Sequence, residues 1–217
     1  MFAVNPGVLA AGAGVTPSGQ QLFTASGELI IPAGVRSICA VAISPGGVSV
    51  SSGATGFGGA LRYVNDIPVD EGEVLSIQIF MSASPYSRLS RGTTDLVSAI
   101  GQNSGLGTGF NGGSGVAGAS YPRAGAGAAG FTSNGQDATT GSPSRGGGGT
   151  DPRQANAPGA AKGDSPFGSG RGGDFGGGAG RWNNGGTGSN GVQGSGCVYV
   201  LWGPDRAFPG LNIGEIV

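Results

Sequence analysis

Twelve carboxylates, two cysteines and no histidine are what this chain offers to chemistry. Without an imidazole there is no Ser-His-Asp or Cys-His activation of a nucleophile, no HExxH zinc site and no ordinary facial-triad metal centre. Cys39 and Cys197 are too few for a four-thiolate zinc or iron-sulfur site and for a secreted disulfide scaffold. They read as unreactive small core residues, kept reduced during cytoplasmic assembly. Asp70, Glu71 and Glu73 crowd one turn without the spacing of a calcium loop, and read as solvated turn residues. The expectation is a protein that is not an enzyme and takes no cofactor or metal.

Three further patterns invite a binding reading. GAGAAG (125–130) and GTGFNG (107–112) fit GxGxxG, but no strand leads in and no helix follows to hold a pyrophosphate, so chance in glycine-rich sequence accounts for both. GRGGDF (170–175) resembles an RGG box, in which arginine meets phosphate and aromatics stack on bases. It occurs once, Asp174 offsets Arg171, Arg153 lies beside Asp151, and the net charge is −1, so no nucleic-acid partner is expected. The aromatics Tyr121, Phe131, Phe167, Phe175 and Trp182 either staple the glycine-rich stretch or offer rigid contact area at loop tips. The segments 131–141 and 150–167, where polar residues and proline interrupt the glycines, are the most loop-like. Together these give a candidate receptor-binding set: Tyr121, Phe131, Asn134, Asp137, Arg153, Asn156, Lys162, Phe167, Phe175 and Trp182.

The elements that must carry such residues are unusual. Of 217 residues, 50 are glycine and 13 proline, a level typical of collagen or disorder. Collagen is excluded because the glycines have no period of three in sequence. A 37% hydrophobic fraction weighs against disorder. Thirty-three of the glycines fall within 101–196, and the flanks instead carry β-patterned runs: QLFT (21–24), ELII (28–31), SICAVAI (37–43), ALRYV (60–64), VLSIQIF (74–80) and VYVLW (198–202). The fold class expected is all-β, a short-stranded sandwich in the flanks plus a glycine-rich lattice of polyglycine-II type. In that conformation, with three residues per turn and no internal hydrogen bonds, backbones bond outward to one another. Ordering a residue costs roughly 1–2 kcal/mol, and a hydrogen bond contributes only about 0.5–1.5 kcal/mol net. The block should therefore depend on the flanks or on a partner subunit for its order. The expected organisation is an N-terminal arm (1–19), a β-flank (20–100), the glycine-rich block (101–196) and a closing strand with C-terminal tail (197–217). With no basic n-region and no apolar run of membrane-spanning length, the protein is expected to be made in the cytoplasm.

FTASGELIIPAGVRSICAVAI (23–43), GGALRYVNDIPVDEGEVLSIQI (58–79) and GCVYVLWGPDRAFP (196–209), placed around a glycine block, resemble the glycine-rich domain of bacteriophage tail proteins. The resemblance spans about residues 20–209 and implies a virion protein of the tail fibre or tail tip, assembled in the host cytoplasm. It also implies a polyglycine-II lattice whose loops act as a receptor-binding adhesin. Implied partners are other phage tail proteins and a host cell-surface receptor, a glycan or an outer-membrane protein, with a homo-oligomer as a further possibility. The hydrophobic extension 1–17 would then serve as a docking arm. Two stretches depart from the family pattern, 44–53 and 80–100, and the second is expected to form a short helix or a docking segment. A purely structural tail or baseplate component, and an RGG-like nucleic-acid-binding protein, are the alternative readings.

Overall fold

The computed structural model describes residues 17–48, 55–116, 124–139, 147–154, 157–160, 172–184 and 187–210, with 181–184 and 187–190 described by backbone alone. Among them there is no helix. The strands are β1 (Gly19–Phe23), β2 (Gly27–Ile30), β3 (Ser37–Ile43), β4 (Leu61–Pro68), β5 (Val74–Phe80), β6 (Tyr86–Arg91), β7 (Thr94–Ile100), β8 (Ser104–Leu106), β9 (Thr108–Phe110), β10 (Arg181–Asn184), β11 (Thr187–Asn190) and β12 (Cys197–Trp202). They form two antiparallel five-stranded sheets, ordered β1-β12-β3-β4-β9 and β2-β5-β6-β7-β8, with β10 and β11 as a separate pair.

The two large sheets pack face to face around one core. Ile38, Ala40 and Ala42 of β3 and Val198 and Val200 of β12 meet Leu29, Leu75, Ile77, Leu89, Val97 and Ala99 of the opposite sheet. The alternate residues of the same two strands turn the other way. Cys39, Val41, Ile43, Cys197, Tyr199 and Leu201 form a second core with Leu61, Ala129, Phe131, Ala157 and Phe208. The sheet holding β3 and β12 is thus covered on both faces, which is why SICAVAI and CVYVLW are almost continuously apolar where a half-solvated strand would alternate.

Residues 80–100 are a correction to expectation: they form no helix. Tyr86–Arg91 and Thr94–Ile100 pair as a hairpin around Gly92, whose φ of 57° is the left-handed geometry such a turn needs. The hairpin was hard to read because its inward positions include Ser87 and Ser90, both buried, so the apolar alternation is broken. Four short strands, β8, β9, β10 and β11, also lie inside the stretch that composition assigns to the glycine-rich block.

Beyond the ends of β3, β4, β9 and β12 the chains continue side by side. The pairing Ile43↔Leu61 runs on as Ser44 N–H to Ala60 O and Gly47 N–H to Phe57 O. Likewise Leu61↔Phe110 runs on as Gly58 N–H to Gly113 O and Thr55 N–H to Val116 O, and Ile43↔Cys197 as Gly46 N–H to Gly194 O. Each register is kept without a slip, while successive bonds between a given pair of segments fall three residues apart.

Segment 124–130 shows this spacing fully. Ala126 and Ala129 donate to Gly56 and Gly59; Ala124, Gly127 and Gly130 donate to Thr139, Gln136 and Ser133; Ala128 donates to Gly148. The carbonyls of Ala126, Gly127 and Ala128 accept from Gly178, Gly113 and Ala160. One segment is therefore bonded to six others, whereas a β-strand in a sheet has two neighbours. Such close approach excludes side chains: a Cβ on Gly58 would land inside the Gly127 carbonyl oxygen.

Candidate functional site

The three-residue spacing brings polar side chains into line on one exposed edge of this array. Asn111 and Ser114 stand three apart on one segment, and Asn134 and Asp137 three apart on its neighbour. The two segments are joined by Gly135 N–H to Asn111 O and Ala138 N–H to Ser114 O. Side chains add to these bonds: Asn111 N–H donates to Asn134 Oδ1 at 2.9 Å, and Ser114 N–H to Asp137 Oδ1 at 2.6 Å. With Gln102, Gln136 and Thr139 they line a groove of about 570 Å³. Gln102 is fixed in turn, its Nε2 donating to Ser114 Oγ at 2.8 Å.

Behind the groove lies Arg62 of β4, only 8% exposed. Its guanidinium donates to the carbonyls of Leu61, Phe110 and Asn103 and, from Nη2, to Asn111 Oδ1 at 2.7 Å. Burial draws its pKa below the ordinary arginine value, and these four neutral oxygens are what hold the charge in place. Arg62 thereby ties β4 and the end of β9 to the first residue of the groove.

The candidate residues named from sequence are dispersed. Asn134 and Asp137 line the groove, exposed and side by side with its other polar groups. Phe131 is not presented at a loop tip: it is 2% exposed and stacked on Phe208, with ring centroids 5.7 Å apart, and Tyr63 packs against both rings. Asn65 holds this cluster by clamping the Phe208 backbone, donating from Nδ2 to its carbonyl at 2.6 Å and accepting from its N–H at 2.9 Å. Phe175, with φ of 62°, is half-buried against the same core. Arg153 is exposed and ion-paired with Asp151 at 2.8 Å. Trp182 lies on β10, described there by backbone alone, and Tyr121, Asn156, Lys162 and Phe167 lie outside the described residues.

The cysteines prove to be distant from one another. Cys39 pairs with Leu201, and Cys197 with Ile43, four residues along β3. At about 3.3 Å per residue their Cα atoms stand roughly 13 Å apart, beyond the reach of about 7 Å that a disulfide allows. Burial raises both thiols above their ordinary pKa, Cys197 most strongly, so neither is a ready nucleophile. Among the described residues no cluster of carboxylates and thiols could hold a metal ion.

Gln102, Asn111 and Ser114 line the groove from outside the segments singled out in the sequence, while Gln136 and Thr139 fall within 131–141 but not in the candidate set. The signal existed in the paired spacing N-x-x-S and N-x-x-D, but it has meaning only once a period of three is known. Compared with protein-family models and with the curated proteins, the chain matches none.

Proposed function

We propose that the protein is a bacteriophage virion component, part of a tail fibre or tail tip, that attaches to a host cell-surface receptor through the polar edges and loops of a polyglycine-II lattice. The observation that carries this reading is segment 124–130, bonded to six neighbours with donors repeating every third residue. A chain with three residues per turn directs three N–H and three C=O groups outward around its axis, which accounts for six neighbours. Such a body is stiff, and it is exposed along edges where polar residues replace glycine. A stiff body with variable edges suits a part that must project from a virion and meet a surface. The family resemblance of the flanking strands supports the same assignment.

The competing reading is a purely structural tail component. It is favoured by Phe131, an aromatic that serves the interior and not a contact surface. Phage adsorption separates the two. A phage in which the exposed residues Thr132, Asn134, Gln136, Asp137, Thr139, Arg153 and Gln154 of this protein are replaced by glycine or serine, with the buried Phe131 and Ala157 kept, should assemble but lose adsorption to its host. Normal adsorption by intact particles of that phage would leave only the structural role, and absence of the protein from purified virions would overturn both.

A further inference from the structure

Resting on the adhesin reading, we propose that the groove between segments 111–114 and 134–139 binds a neutral, hydroxyl-rich glycan, with Asn111 and Asn134 as donors and Asp137 as acceptor. The orientation of both amides is forced. Asn111 Oδ1 faces the Arg62 guanidinium and Asn134 Oδ1 faces the Asn111 N–H, and both partners can only donate. A flipped amide would set donor against donor, so in each of these two groove-lining residues Nδ2 is the amide atom left to donate to a ligand. Asp137 commits Oδ1 to the Ser114 N–H, leaving Oδ2 as an acceptor.

The groove thus presents fixed donors beside a fixed carboxylate acceptor, and a pair of neighbouring sugar hydroxyls complements that arrangement, one accepting and one donating. The charge pattern selects among glycans. Among the described residues Asp137 is the one charged residue lining the groove, and no lysine or arginine lines it. Arg62 directs its guanidinium to four protein oxygens. A phosphate, sulfate or uronate would meet a carboxylate with no compensating cation among the described lining residues, which disfavours anionic sugars. The volume, about 570 Å³, falls within the roughly 300–1,000 Å³ of small-molecule sites.

Two isosteric variants test this without removing a lattice bond. Asn134→Asp and Asp137→Asn each retain the Oδ1 that accepts the neighbouring backbone N–H, and each inverts the group turned to the ligand. On an array of neutral oligosaccharides with their uronate- and phosphate-bearing counterparts, the full-length protein should be retained by neutral members only. Each variant should keep the melting temperature and lose about tenfold or more in affinity. Purified lipopolysaccharide O-chain and capsular polysaccharide, run in parallel, identify the source of the glycan.

Retention by acidic glycans only, by none, or equally by both variants would overturn the proposal. Host-cell binding assayed on the same three proteins keeps the two readings apart. Cell binding undiminished in both variants defeats the groove and spares the adhesin, whereas glycan binding without cell binding defeats the adhesin and spares the groove.

Discussion

Glu73 closes the turn before β5, its carboxylate gripped by the Arg91 guanidinium across the sheet and accepting from the Asp70 N–H at 3.2 Å. The Arg91 hydrogen bond, foremost, holds its pKa below the usual carboxylate value. A depressed folded pKa means stability that is present above the unfolded value of about 4.3 and is lost as pH falls through the folded one. The pair lies near the surface, so its contribution should be no more than about 0.2–1 kcal/mol. Glu73→Gln should therefore lower the urea midpoint slightly at neutral pH and leave it unchanged in strong acid, as equilibrium denaturation at the two pH values would reveal. A difference that persisted in acid would mean that Glu73 acts through packing instead. This is the same turn that sequence alone read as three solvated carboxylates. Composition gave no hint of Arg91, because the partner arrives from β6, a strand whose buried serines hid it.

At the scale of elements, the decisive event is the change of period at the ends of β3, β4, β9 and β12. Up to Ile43 and from Leu61 onward the residues alternate between two cores; in the described residues between them, 44–48 and 55–60, the backbone bonds to a given neighbour every third residue, yet the register is unbroken. The sheet acts as the template that aligns the glycine segments. Gly58 is where this geometry is most exacting, since any Cβ there meets the Gly127 carbonyl, whereas Gly27 at the start of β2 has nothing within 4 Å. Gly58→Ala should cost about 1–3 kcal/mol, the usual range for overpacking, and Gly27→Ala should be neutral or slightly stabilising. Thermal unfolding of the two variants checks this, and equal midpoints would contradict the close-packed array. The same contrast explains what was legible. β3, β5 and β12 were readable because large apolar side chains mark burial in a strand. In the array, burial is marked by the absence of a side chain, so glycine content reveals that segments pack closely but not which ones meet. The groove was hidden for that reason, its two polar pairs being 23 residues apart in sequence and adjacent only through that packing.

For the molecule as a whole, the question is where the array gets its order. Within it, Ala126, Ala128 and Ala129 are wholly buried but contribute only methyl groups, and glycine lies at most other interior positions. Backbone hydrogen bonds, at about 0.5–1.5 kcal/mol net each, do not exceed an ordering cost of roughly 1–2 kcal/mol per residue. The missing stabilisation lies at the second core, where Ala129, Phe131 and Ala157 pack on Val41, Ile43, Tyr199 and Leu201, with Phe208 clamped over them by Asn65. Array and sheet should therefore open as one cooperative unit. Native-state hydrogen exchange tests this directly. The amides of Gly127, Ala129 and Gly178, all bonded within the array, should exchange with the same opening free energy as those of β3. They should also lose protection together with β3 when Phe208→Ala removes the clamped ring, a change expected to cost about 3–5 kcal/mol. Fast exchange in the array beside a protected β3 would instead mean that the glycine segments are ordered independently of the sandwich, and that the sheet aligns them without stabilising them.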